Sequence, residues 1–415
     1  MFHTSYDGQG NNYNDLLTSN RSLIVKLLMK SGYCTRSELA QKSGLSQAAI
    51  TKITGSLIDM DIVEEIGLGK GEKGRRTIKL QLKSNKFFVT GAKITRKSFS
   101  TGIFDLAGNA YTTEEHTIYP HQSPESVLDN IVNIIKNYCK DNRNMIAVGI
   151  SVPGPYLREK GIIAKMTEFS GWEKINLKDY FKKHLYIPVL IEHDANAGAL
   201  AEWWFGNIRS TRLVHIIASE GIGSGIINNG HLLYGADGIA GEIGHMSIAY
   251  DGYCCQCGPE SRGCLEQYCS SLSFLRDVKE QLYTNRGSKL HELKEFTVDD
   301  VFAAAKDGDE FARFMVCRVG FFFGIGIANV VYIYNPDTII IGDIMSKAGD
   351  LMLNSIKETV KMRIDPELYR NLTICYSDLQ CDASLLGAAA TAVDYFLEKP
   401  TDFAMHWSAV GEPSG

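Results

Sequence analysis

Residues 245–266 read "HMSIAYDGYCCQCGPESRGCLE". Four of the chain's ten cysteines, Cys254, Cys255, Cys257 and Cys264, fall there within eleven positions, and His245 stands just upstream. Three chemistries suit such a cluster: a disulfide framework, a redox site or a metal site. Thiolate sulfur with one imidazole nitrogen is the soft tetrahedral shell that zinc favours. Disulfides belong to oxidising compartments, whereas a reducing cytoplasm keeps thiols available to a metal. A second set of reactive types is cationic. The stretch "GLGKGEKGRRTIKLQL" places Lys70, Lys73, Arg75 and Arg76 among glycines, as a loop touching phosphate or a minor groove would.

These groups need elements to carry them. At 415 residues the chain is long enough for two or three domains, and its 44% hydrophobic and 22% charged composition is that of an ordinary globular protein. The polar N-terminus "MFHTSYDGQGNNYNDLL" gives no expectation of a signal peptide. The longest apolar run, Val319 to Tyr334, contains Asn329 and reads as a buried helix entering a strand, too short for a membrane span. A cytoplasmic protein is expected. The net charge of −5 is uneven: residues 1–86 hold 13 Lys and Arg against 8 Asp and Glu, and the remainder holds 30 against 40. A basic head on an acidic body suggests nucleic acid as the head's partner.

Within the head, Leu23, Ile24, Leu27 and Leu28 keep helical spacing up to Gly32. Thr35-Arg-Ser-Glu38 is a capping box that opens a second helix, Arg36 to Lys42, ending at Gly44. Ser46 caps a third helix reaching about Met60. Its Ile50, Ile53 and Leu57 form a buried face, leaving Gln47, Ala48, Thr51 and Lys52 opposite. Helix, Gly turn, helix and basic hairpin in that order make a winged helix-turn-helix. The candidate DNA contacts are Ser46, Gln47, Ala48, Thr51, Lys52, Arg75 and Arg76. From Phe87 onward strands alternate with helices, as in an α/β body of two lobes around a cleft. Here "IPVLIEHDANAGALAEWWFG" reads as strand, loop and helix, and "RLVHIIASEGIGSGIINNG" as a hairpin.

The segments "RSELAQKSGLSQAAITKITGSL", "GEKGRR", "VPGP", "IEHDANAGALAE", "GEIGH", "CQCG…GCLE" and "NPDTIIIGD" together resemble the ROK family of sugar-responsive repressors and sugar kinases, across roughly residues 14–398. The resemblance implies an actin-like (ribonuclease H-like) body. Its segments would be a DNA-binding domain at 14–82, a first lobe at 87–205, a second at 206–382 and a C-terminal helix at 383–398 returning to the first lobe. It implies one structural Zn2+ on His245, Cys255, Cys257 and Cys264, although the adjacent Cys254 leaves a one-residue register shift open. It also implies a sugar held by Gly154, His193, Asp194, Glu242, His245 and Glu266, with Glu168 and Trp172 as further rim candidates. Carboxylates accept hydrogen bonds from vicinal hydroxyls, so several together define a sugar's stereochemistry. Asp194 is the position of the general base in the family's kinases.

The nucleotide half departs from the kinase pattern. The first phosphate loop, "DxGGTK" in the kinases, is "KITRK" at Lys93 to Lys97; the second is "SEGIGSG", with Glu220 in place of threonine. A later Gly-Gly is Gly342-Asp343. Negative groups there would repel phosphate. The expectation is therefore a repressor and not an enzyme, a homodimer or tetramer, with operator DNA and a sugar or sugar phosphate as partners and no membrane. The alternative is an ATP-dependent sugar kinase with an appended DNA-binding head.

Overall fold

The computed structural model describes residues 13–70, 76–142, 144–164 and 170–401. The head opens with α1 (Tyr13–Ser31), which stops at Gly32 in a left-handed conformation (φ 72°). A short β1 (Tyr33–Thr35) leads into α2 (Arg36–Ser43). The capping box between them is formed: Glu38 N donates to the Thr35 hydroxyl (3.2 Å) and Thr35 N donates to Glu38 Oε2 (2.7 Å). Gly44, at φ 74°, ends α2, and Ser46 caps α3 (Gln47–Asp59) by accepting from Ala49 N (3.2 Å). Strands β2 (Val63–Lys70) and β3 (Arg76–Leu82) pair as an antiparallel wing, with β1 on the far edge of β3. Ile24, Leu28, Leu39, Ile50, Leu57 and Leu80 are all fully buried beneath these elements.

The first lobe contains β4 (Phe88–Ile94), β5 (Ser98–Asp105), β6 (Ala110–Thr117), α4 (Pro124–Asp141) and β7 (Met145–Val152). After these come the small hairpin β8 (Tyr156–Leu157) and β9 (Ile162–Ile163), then α5 (Leu177–His184), β10 (Val189–His193) and α6 (Asp194–Phe205). The second lobe contains β11 (Arg212–Ala218), β12 (Ile222–Asn228), β13 (His231–Leu232), α7 (Glu266–Cys269), α8 (Ser271–Leu282) and α9 (Val298–Lys306). It continues with α10 (Glu310–Tyr334), β14 (Thr338–Gly342), α11 (Gly349–Arg363), α12 (Pro366–Arg370) and β15 (Thr373–Tyr376); α13 (Ala383–Glu398) follows.

The two five-stranded sheets repeat one topology. The order is β6-β5-β4-β7-β10 in the first and β13-β12-β11-β14-β15 in the second. In each, the first three strands form an antiparallel meander and the last two run parallel to its first strand. This is the mixed α/β, two-lobed architecture the sequence suggests. Helix α13 packs on β4, β7 and α6, while α6 packs on β11 and β12, so the two helices lie between the sheets. Small residues make that approach possible. A Cβ on Gly149 would stand 1.7 Å from Ala388 O, and one on Gly225 would stand 2.2 Å from Ala195 O.

Two elements differ from expectation. No loop separates β10 from α6: His193 is still extended (φ −62°, ψ 138°), Asp194 is already helical, and one residue makes the N-cap. The apolar run is the second half of α10, which starts back at Glu310 and spans 25 residues, long and apolar enough by composition to cross a membrane. Instead, 61% of its most apolar window is buried in the protein, and the helix packs on α9 and α11.

Candidate functional site

The cysteine segment folds back on itself after a 3-10 turn, Ile243–His245. Cys255 N donates to Ser261 O (2.8 Å), Ile248 N to Gly263 O (2.8 Å), and isolated bridges join Ser247 to Cys264 and Cys254 to Arg262. Gly263 is needed at the crossing: it has φ 67°, and a Cβ there would stand 1.7 Å from Ala249 O. The fold-back brings one ligand atom each from His245, Cys255, Cys257 and Cys264 within 4.8 Å of one another. Cys255 Sγ lies 3.8 Å from His245 Nδ1, and Cys257 Sγ lies 3.6 Å from Cys264 Sγ. Tetrahedral zinc with bonds of about 2.3 Å to sulfur sets sulfurs roughly 3.7 Å apart, so the donor set fits. Cys254 stands outside the group. Burial first, then its thiol neighbours, push Cys264 up to about 12, whereas the Ser261 hydroxyl lowers Cys257. A divalent cation would supply the charge that three adjacent thiolates need. Cys269 is a buried thiol on α7, its Sγ 3.8 Å from Val319 O.

The same backbone carries Glu242, the residue that opens the 3-10 turn. The charged groups that act on its carboxyl are His193, His245, Asp194 and Glu266. Burial raises the Glu242 pKa, with partial relief from His193 and His245. His193 Nε2 lies 3.1 Å from Asp194 Oδ1. Burial alone would lower the His193 pKa, but the Asp194 carboxylate, with Glu242 and Glu192 behind it, outweighs that and holds it at about 9. Asp194 is lowered despite burial, by His193 first and Lys93 next. Gly154 leaves room for the imidazole: a Cβ there would be 2.1 Å from His193 Nε2. Glu266 opens α7, and its Oε2 accepts from Ile222 N (2.9 Å). Trp172, in a short 3-10 turn, is only 5% exposed and packs in the first lobe's core. Glu168 lies outside the described residues.

Sequence reasoning missed a polar network behind this cluster. Glu192 is buried, and its Oε1 accepts from His193 N and Asn196 Nδ2, both at 3.0 Å. Its Oε2 accepts from Arg158 (3.2 Å) and from the Tyr234 hydroxyl (3.1 Å), and Arg158 stacks 4.0 Å from the Tyr234 ring centroid. Tyr234 follows β13, so the network spans both lobes. The nearest sequence signal was a Glu beside His193 in a strand otherwise apolar.

On the other side of the cleft, Lys93 pairs with Asp382 (2.7 Å), the cap of α13. Glu220 pairs with Arg96 (3.1 Å) and Lys97 (2.8 Å). The segments "KITRK" and "SEGIGSG" thus face one another through Arg96, Lys97 and Glu220.

In the head, Ser46, Gln47, Ala48, Thr51 and Lys52 are all exposed along one face of α3, opposite the buried Ile50, Ile53 and Leu57. Arg75 lies outside the described residues, and Arg76 opens β3 with its side chain outside them. The head also grips the body. The Lys30 ammonium sits over the Trp203 ring, and Arg209 donates to Lys30 O (2.9 Å). Lys26 pairs with Glu398 of α13.

The ROK family profile matches residues 89–394, and a profile for winged helix-turn-helix DNA-binding domains matches residues 17–64. The chain is 29% identical to the xylose repressor of Bacillus spizizenii over 91% of this chain and 96% of that protein. It is 31% identical to the glucokinase of Thermotoga maritima, over 74% of this chain and 97% of the kinase. A crystal structure of a ROK family transcriptional regulator, a homolog of the E. coli MLC protein, superposes with a TM-score of 0.78 at 26% identity. It covers 92% of this chain and 97% of the other.

Proposed function

The chain belongs to the ROK family, and from that premise we propose that it is a cytoplasmic, sugar-responsive transcriptional repressor. The reading divides it into a DNA-binding domain at 14–82, lobes at 87–205 and 206–382, and a returning helix at 383–398. As a homodimer it would set two α3 helices in successive major grooves of an operator, with Ser46, Gln47, Ala48, Thr51 and Lys52 towards the bases and Arg75 and Arg76 on the backbone. A sugar or sugar phosphate would bind among Gly154, His193, Asp194, Glu242, His245 and Glu266. A zinc ion on His245, Cys255, Cys257 and Cys264 would hold Glu242 and Glu266 in place from behind. Ligand alters operator affinity only as far as it binds the two lobe arrangements differently.

One observation carries the choice of repressor over kinase: Glu220, in the place of the second phosphate loop, is engaged by Arg96 and Lys97 from the first. The retained Asp194 favours the kinase alternative. A coupled ADP-release assay with ATP and a panel of pentoses, hexoses and amino sugars separates the two. No sugar-dependent turnover is expected. Turnover abolished by Asp194→Asn would establish the kinase.

A further inference from the structure

The β4–β5 turn and the β11–β12 turn are equivalent positions in the two repeated sheets: each is the first hairpin of its lobe. The repeat brings them face to face across the cleft, and their residues carry opposite charge. Residues 95–97 contribute Arg96 and Lys97; residues 219–221 contribute Glu220. Arg96 Nη1 donates to Glu220 Oε2 (3.1 Å) and Lys97 Nζ to Glu220 Oε1 (2.8 Å), so the two oxygens of one carboxylate are taken by two cations of the opposite lobe.

Both turns are stiff. The Thr95 hydroxyl accepts from Lys97 N (3.3 Å) and Ser98 N (3.0 Å), and donates to Ser98 O (2.9 Å). Ser219 N donates to Gly221 O (3.0 Å), and Ser271 N donates to Ser219 O (2.7 Å), tying the second turn to the start of α8. Stiff turns transmit the pairing to the lobes they belong to.

We propose that Arg96, Lys97 and Glu220 form an ionic clasp that holds the two lobes together, so that the protein sets its own lobe equilibrium where a kinase would rely on bound nucleotide. Glu220 is about 30% and Arg96 about 26% exposed at the side chain, and Lys97 is far more open. Partly exposed pairs are individually weak, so the clasp biases the equilibrium and remains reversible. It also sits close to the candidate sugar carboxylates. Glu266 Oε2 anchors Ile222 N, two residues from Glu220. On the reading given above, a ligand that draws on Glu266 acts on the clasp turn directly.

The clasp itself is tested on the full chain without sugar or DNA, so its failure and the failure of the repressor reading are distinguishable. Small-angle scattering would report lobe separation, and hydrogen exchange would report the amides of 95–98 and 219–222. Glu220→Arg should enlarge the radius of gyration and speed exchange at both turns several-fold. Arg96→Glu, Lys97→Glu and Glu220→Arg together should restore both values. If Glu220→Arg does not melt cooperatively, Glu220→Gln and a salt titration of the wild type supply the same comparison. Raising NaCl to about 1 M, where the Debye length is roughly 3 Å, should mimic the variant. Unchanged scattering and exchange in the charge-reversed protein, or a triple variant that behaves like the single one, would overturn the proposal.

Discussion

The ammonium of Lys30 sits 2.9 Å from the centroid of the Trp203 ring. Lys30 is in α1 of the head and Trp203 near the end of α6, whose first residue is Asp194. One twelve-residue helix therefore reaches from the candidate sugar cluster to the base of the DNA-binding head. Burial, then Arg209 and Lys26, lower the Lys30 pKa to about 8, and the indole face offers the ammonium a favourable contact. A desolvated cation–π contact is worth about 2 kcal/mol. Trp203→Ala should loosen the head by about that much, visible in calorimetry as a separate low-temperature transition. Affinity for a short duplex should change little, because the exposed face of α3 is untouched.

The His193–Asp194 pair gives stability a pH signature. The histidine's folded pKa, about 9, lies above its unfolded value of roughly 6.5. Its contribution is complete below the unfolded value and is lost as pH rises through 9. The Asp194 pKa is lowered, so its contribution is lost on acidification instead. The two shifts together put the maximum between them. Melting temperatures from pH 6 to 10 should fall more steeply for the wild type than for His193→Gln, whose curve should be flatter through pH 9. Parallel curves would show that the imidazole is not charged in the folded protein.

Metal content should discriminate between the two adjacent cysteines. Cys255→Ser and Cys264→Ser should lose the bound metal, while Cys254→Ser should keep one ion per chain, measured by elemental analysis of dialysed protein. A metal-free Cys254→Ser protein would reverse the assignment. Chelating the ion should weaken sugar affinity before the head unfolds, because the clip joins the backbone of Glu242 to that of Glu266 through His245 and Cys264.

Removing both carboxylates, in Glu242→Ala with Glu266→Ala, should leave operator binding intact and abolish the response to sugar. Isothermal titration with sugar and anisotropy with DNA read the two functions separately. A double variant that still responds would place the ligand elsewhere.

Local signals were the legible ones. The Thr35–Glu38 capping box, the Ser46 cap and the buried face of Ile50, Ile53 and Leu57 depend on residues within one or two turns, and the chain forms them as written. His245, Cys255, Cys257 and Cys264 converge because their spacing is nearly local, and Cys254 lies outside that group. The strand-to-helix junction at His193 looked like a loop because "EHD" is polar; burial around Glu192, Asn196, Arg158 and Tyr234 explains how those polar groups fit. That network, the seat of Lys30 on Trp203 and the pairing of Glu220 with Arg96 and Lys97 join residues 34 or more positions apart, except within β10–α6. Their partners are set by the packing of the lobes and no periodicity announces them.

On the repressor reading, a sugar or sugar phosphate in the cleft controls the head's hold on DNA without any phosphoryl transfer by the protein. The most direct measurement is anisotropy of a labelled duplex, selected from random sequence by the protein itself, titrated with xylose, glucose, N-acetylglucosamine and their phosphates. One of these should change duplex affinity by at least about tenfold, a coupling of roughly 1.4 kcal/mol, with ATP left intact. A protein that selects no sequence, or whose duplex affinity is indifferent to every sugar while ATP is consumed, would contradict it.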